Sequence, residues 1–132
     1  MSEGPVHDLT SMLKELRPTL DQTPYRFIVE ARDAPAGDTA HEAFAIIREA
    51  EGVTYICPAS DMNGSEYARI TLQVHSDLAG VGLTAAIATE LAQDGIACNM
   101  VAGFYHDHVF VPWAHRNRAI AILQGLSQDA GR

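Results

Sequence analysis

Residues 67–103, YARITLQVHSDLAGVGLTAAIATELAQDGIACNMVAG, decide how this chain folds. From Tyr67 to His75, Ala68, Ile70, Leu72 and Val74 alternate with Arg69, Thr71, Gln73 and His75. That period predicts a strand with one apolar and one polar face. A loop bearing Gly80 and Gly82 follows, then Leu83, Ile87 and Leu91 at helical spacing, and Gly95 as a helix stop. Ile96, Cys98 and Met100 continue as a second strand. Strand, glycine loop and helix start in that order place main-chain N–H groups where a small anionic group can be held. The arrangement speaks of binding rather than reaction, and no nucleophile–base pair or phosphate motif stands out elsewhere.

Downstream, Asp107–Val111 reads as a strand halted by Pro112, and Ala119, Ile122, Leu123 and Leu126 mark a final helical face. The second half is therefore β-α-β-β-α. A ferredoxin-like sheet needs one more strand after its second helix, yet only a few polar residues lead to Arg132. The fourth strand is expected from the first half, so residues 65–132 alone are expected to fold poorly. Upstream, Asp8 is placed to cap a helix carrying Leu9, Met12, Leu13 and Leu16, which Pro18 stops. Tyr25–Ala31 reads as a strand with Phe27 and Val29 on one face. Residues 33–38 (DAPAGD) have loop composition. Ala43–Arg48 and Val53–Cys57 read as a hairpin joined through 49–52, with Gly52 free to take a positive φ. The polar run 58–64 (PASDMNG) suggests two halves, 1–64 and 65–132.

The chain has 132 residues and a net charge of −8, with no run of basic residues, which argues against nucleic acid or an anionic membrane as partner. Cys57 and Cys98 lie in apolar strand-like runs and are expected to be buried free thiols. The N-terminal residues lack the cationic start and apolar core of a secretory signal, and no apolar run approaches the roughly 18 residues of a bilayer span. A cytoplasmic protein is expected.

Residues 75–103 resemble the signature of ACT domains, small regulatory modules that bind amino acids. A strand ends in a polar residue and a glycine turn, and a helix then leads to the strand start Gly95-Ile96-Ala97. More closely, EAEGVTYICP (49–58), TLQVHSDLAGVGLTAA (71–86), CNMVAGFYHDHVFVP (98–112) and the last helix are similar to a bacterial family of short tandem ACT-like proteins of unassigned function. The second half is also similar to the ACT-type domain of the CASTOR arginine sensors. The resemblance implies an α+β, ferredoxin-like ACT fold of two ACT-like halves with helices on one sheet face. It implies a non-catalytic regulatory protein that binds an amino acid or related carboxylate where the strand–helix loop meets a neighbouring ACT unit. Mapped onto this chain, the ligand-binding set is His75, Ser76, Asp77, Gly80, Val81, Gly82, Leu83 and Thr84, with Asn99 and Val101 from the next strand. The sequence departs from the family at Asp77 and Gly80, where a small hydroxyl and an alanine are usual. A homodimer is implied, and no cofactor.

Alternation puts His75, His106 and His108 on one sheet face if Val109 and Val111 face the core, with Asp107 pointing to the helix side. Antiparallel pairing of the two strands would bring the three imidazoles together beside the glycine loop, so His106 and His108 join the candidate ligand set. Such a trio could ligate Zn²⁺, but strand-edge histidines more often make polar contacts, and no metal site is assigned. His7, His41 and His115 have no comparable setting. Tyr105 and Trp113 read as packing residues. Two other readings stay open: an interaction module that dimerises without a ligand, and an enzyme using His75, His106 or Asp107 as acid–base groups.

Overall fold

A computed structural model of the chain describes residues 4–35 and 37–132. The first three residues of the expected first half, and Ala36 of the expected loop, lie outside the described residues. The elements run α1 (Leu9–Lys14), β1 (Pro18–Leu20), β2 (Tyr25–Glu30), α2 (Asp38–Glu42), β3 (Ala45–Arg48), β4 (Val53–Pro58), β5 (Tyr67–Leu72), α3 (Leu83–Gln93), β6 (Asn99–Ala102), β7 (Asp107–Pro112) and α4 (Arg116–Ala130), the last preceded by a single 3-10 turn at Trp113–His115. Asp8 caps α1, its carboxylate accepting from Ser11 N–H at 2.9 Å.

The missing strand comes from the N-terminal side. β1 pairs antiparallel with β5, Pro18 opposite Leu72 and Leu20 opposite Ile70. In the order β1-β5-β7-β6 it takes the fourth-strand position of a ferredoxin-like sheet. The chain then continues along β5, because Tyr25 pairs with Tyr67. Between those pairs, residues 21–24 face only 68–69, so the strand bulges. Asp21 occupies the bulge: its N–H donates to Arg69 C=O at 2.9 Å, and its carboxylate accepts from Thr23 N–H at 2.8 Å and Tyr25 O–H at 3.0 Å. Beyond the bulge, β2 pairs with β4 and β4 with β3, giving one antiparallel sheet ordered β3-β4-β2-β5-β7-β6.

Apolar alternation sends Ala68, Ile70 and Leu72 of β5 and Val109 and Val111 of β7 to the helix side, where Met12, Leu16, Leu83, Ile87, Leu91, Ala119 and Leu123 bury against them. On the opposite face Phe110 is buried with Tyr25 and Ile56, and Phe44, Ala45, Tyr67 and Val101 pack around them. The sheet therefore curls, and the first half covers part of the polar face of β5. The Arg69 guanidinium lies 4.3 Å from the centre of the Phe44 ring and bonds the Asp21 carboxylate at 2.5 Å, so its charge is held by an aromatic face and a partner.

Four local expectations are corrected. The strand expected through His75 ends at Leu72, because Gln73 and Val74 N–H leave the sheet for the carbonyls of Arg17 and Leu16. The second-half strand expected from Ile96 begins at Asn99. Asp38–Glu42, between the expected loop and the strand expected from Ala43, forms a short helix that takes in Asp38, and the strand begins at Ala45. Gly52 does not take a positive φ; its missing Cβ makes room instead for Glu30 C=O, which a Cβ would meet at 2.7 Å. Cys57 is buried and Cys98 half-buried, both free, and burial pushes both thiols up.

Candidate functional site

The β5–α3 loop is a built turn. Asp77 C=O accepts from Gly80 N–H, and its carboxylate from Ala79 N–H, each at 2.8 Å. Gly82 precedes α3 with φ +105 and supplies no side-chain cap, so the first N–H groups of α3 have no capping oxygen from Gly82. The N-terminal segment lies along this turn. Val6 donates its N–H to His75 C=O at 2.7 Å and accepts from Asp77 N–H at 2.8 Å, and His7 Nδ1 stands 3.6 Å from the Asp77 carboxylate. The two glycines are needed for that packing. A Cβ on Gly80 would meet Met12 Sδ at 3.2 Å and His7 C=O at 3.3 Å, and one on Gly82 would meet Leu9 Cδ2 at 3.2 Å.

Between this turn, α1 and the β6–β7 hairpin lies a cleft of about 490 Å³. Six of the sequence-derived residues border it: Ser76, Asp77, Gly80, Gly82, Leu83 and Thr84. Val81 stands exposed on the loop beside them. Asp107, named in the sequence only as an acid–base alternative, is a polar lining residue that the expected ligand set left out. Ser76 O–H donates to its carboxylate at 3.1 Å, and both line the cleft with Met12, Leu78 and Ala102. The signal was present: Asp107 shares the strand phase of Val109 and Val111, which face the helices, and the loop is on that same side.

The remaining expected residues lie elsewhere. Register puts Asn99 opposite Phe110 and Val101 opposite His108, on the sheet face away from the cleft. His108 pairs with Thr71, its Nδ1 3.0 Å from the threonine hydroxyl and its ring 4.8 Å from Phe44. Burial, reinforced by Arg69 and His106, lowers its pKa. His75 lies three residues past the last β5 pair, and its ring meets Tyr105 instead, tilted by 48° with 5.3 Å between ring centres. His106 Nδ1 is buried without a hydrogen-bond partner among the described residues. The three histidines thus do not converge, because β5 leaves the ladder before His75. Among the described residues no group of three or more His, Cys, Asp or Glu could hold a metal ion. Tyr105, expected to pack, is 64% exposed at the hairpin tip beside the exposed Phe104, and Leu78 and Val81 are exposed on the β5–α3 loop.

No helix among the described residues is long and apolar enough to cross a membrane. No functionally curated protein matches the sequence. Among solved structures, the chain is similar to a Vibrio cholerae protein of unknown function described as a possible transport protein, with 34% identity and a TM-score of 0.76, covering 90% of this chain and 95% of that one. An Agobacterium tumefaciens protein shares the fold at 14% identity and a TM-score of 0.65, covering 80% and 84% of the two chains. So does a chain of aspartokinase, determined as alpha and beta subunits, at 15% and 0.61, covering 83% and 95%. Two ACT-domain family models match, one on residues 5–70 and one on residues 65–125. Such modules are regulatory, non-catalytic and bind small molecules. Matched by ACT models over nearly its whole length and bearing their ferredoxin-like sheet, this chain belongs to the ACT-domain family, with two ACT units in tandem.

Proposed function

We propose that this protein is a non-catalytic cytoplasmic sensor whose cleft beneath the start of α3 takes an amino acid or a related carboxylate. One observation carries the reading. The cleft joins the uncapped first turn of α3 to the Ser76–Asp107 pair. The helix N-terminus favours a carboxylate, and a carboxylate side chain such as Asp107 favours an ammonium group. A zwitterion offers both. Val81 would join the contact from the rim. His75, Asn99, Val101, His106 and His108 would contact a ligand only through a neighbouring ACT unit or a rearranged loop. In this proposal the halves 1–64 and 65–132 act as one unit, and a homodimer closes the cleft.

The test is a thermal-shift panel of the common amino acids on the full chain. One of them is expected to raise the melting midpoint in proportion to ln(1 + [L]/Kd), and Asp107→Asn to abolish that rise. No response to any amino acid at millimolar concentration would overturn the ligand assignment. The second reading, dimerisation without a ligand, is favoured by the exposed Leu78 and Val81 on the β5–α3 loop and Phe104 and Tyr105 on the β6–β7 hairpin. It gives a ligand-independent dimer in analytical ultracentrifugation that Val81→Asp dissociates.

A further inference from the structure

The C-terminal ends of α1 and α4 flank a second, shallow and open cleft, of about 560 Å³, on another part of the surface. Its polar lining is Lys14, Arg17, Gln124, Ser127, Gln128 and Arg132. The chain holds nine Lys and Arg against seventeen Asp and Glu. Three of the nine cations line this one cleft, and no carboxylate side chain of the described residues does. Four of the other six are engaged: Arg26 with Asp61 and Glu66, Arg69 with Asp21, Arg118 with Asp94, and Arg116 over the Trp113 ring; Arg32 and Arg48 stand apart on the first half. Arg132 makes only an exposed contact of 3.7 Å with Asp129, which holds it weakly. The walls are tied across the floor, where Ser127 O–H donates to Lys14 C=O at 3.3 Å.

Two of these cations have a simpler explanation. Lys14 and Arg132 sit at helix C-termini, which attract positive charge without any ligand. Arg17 does not. It lies between α1 and β1 with φ +45, the one non-glycine residue at a positive φ among the described residues, in a region that L side chains rarely adopt. Its carbonyl accepts from Gln73 N–H at 3.4 Å, which pins that conformation. A glycine would make the same turn without strain, so the guanidinium itself needs a purpose there.

We propose that this cleft binds a small phosphate-bearing anion carrying at least two negative charges. Every side chain lining it that is polar offers an N–H or O–H donor, arginine matches phosphate oxygens in pairs, and the volume falls within the roughly 300–1,000 Å³ of small-molecule sites.

The experiment is calorimetric titration of the full chain with inorganic pyrophosphate, and separately with ADP, at low ionic strength. Saturable binding is expected at one site per chain, weakening as salt rises to about 0.15 M. Arg17→Gly is expected to leave the melting midpoint unchanged or raise it, since glycine suits the backbone there, and to weaken pyrophosphate binding by roughly tenfold or more. Lys14→Gln with Arg132→Gln is expected to weaken it likewise. Tighter, Arg17-dependent binding of ADP than of pyrophosphate would support a nucleotide as the source of the phosphate; equal binding would support phosphate itself. Absence of saturable binding of pyrophosphate, or binding that Arg17→Gly leaves intact, overturns the proposal.

Discussion

Glu66 ties the inter-half loop to the sheet. It is 5% exposed, and its carboxylate accepts from Asn63 N–H at 2.7 Å, Arg26 at 2.6 Å and Gly64 N–H at 3.1 Å. These bonds, that from Asn63 foremost, outweigh burial and hold its pKa down at about 2 against an ordinary 4.5. A depressed carboxylate contributes stability that is present above its unfolded pKa and lost as pH falls through the folded one. Denaturant midpoints of the wild type should therefore fall between pH about 4.5 and about 2, and Glu66→Gln should flatten that slope and lower the midpoint at neutral pH. His108 has the same sign for a different reason: burial beside Arg69 disfavours its charged form. Its NMR titration should end below the usual 6.5, and its share of the stability should fade as pH drops below that value. Gly82 is a third residue whose identity is set locally. At φ +105 with Leu9 against it, Gly82→Ala should cost about 1–2 kcal/mol in urea unfolding.

At the scale of elements, α1 is short, and six residues of helix are not stable alone. Its stability comes from tertiary packing: Met12 and Leu16 are fully buried in the main core. Met12→Ala should cost about 2–5 kcal/mol, whereas Asp8→Ala, which removes an exposed cap, should cost about 1 kcal/mol. Because Val6, His7, Leu9 and Met12 all touch the β5–α3 turn, loosening α1 should loosen the candidate site. Hydrogen exchange of amides 77–86 should accelerate in Met12→Ala and not in Asp8→Ala; equal protection in both would show that the turn stands without α1. The pattern of β5, α3 and α4 was legible in the sequence because each buries one clean stripe, and β7, buried on both faces from Val109 to Val111, was legible as a short apolar run ended by Pro112. α2 and β1 were not, since a five-residue helix and a three-residue strand are too short to show a period.

For the whole molecule, the tandem arrangement is interlocked rather than serial. α1 and β1 belong to the first half in sequence yet complete the core and sheet of the second. Residues 65–132 expressed alone should show no cooperative thermal transition, and joining residues 4–24 to them through a flexible linker should restore one; a cooperative transition in the short fragment would refute the interlock. The sequence alone determined the β-α-β-β-α order, the glycine turn, the apolar faces of the second half and the need for a strand from elsewhere, because those follow from local spacing and the closure of a sheet. It also placed Ser76 to Thr84 at one loop, since neighbours in sequence stay neighbours in space. Only the tertiary structure decided where β5 leaves its ladder, and with it the parting of His75 from His106 and His108. Only it brought Asp107 to Ser76, and Lys14 and Arg17 to Arg132, over separations that no pattern of spacing encodes. Those contacts depend on register, strand bulge and helix docking, which are settled by the packing of the whole core at once.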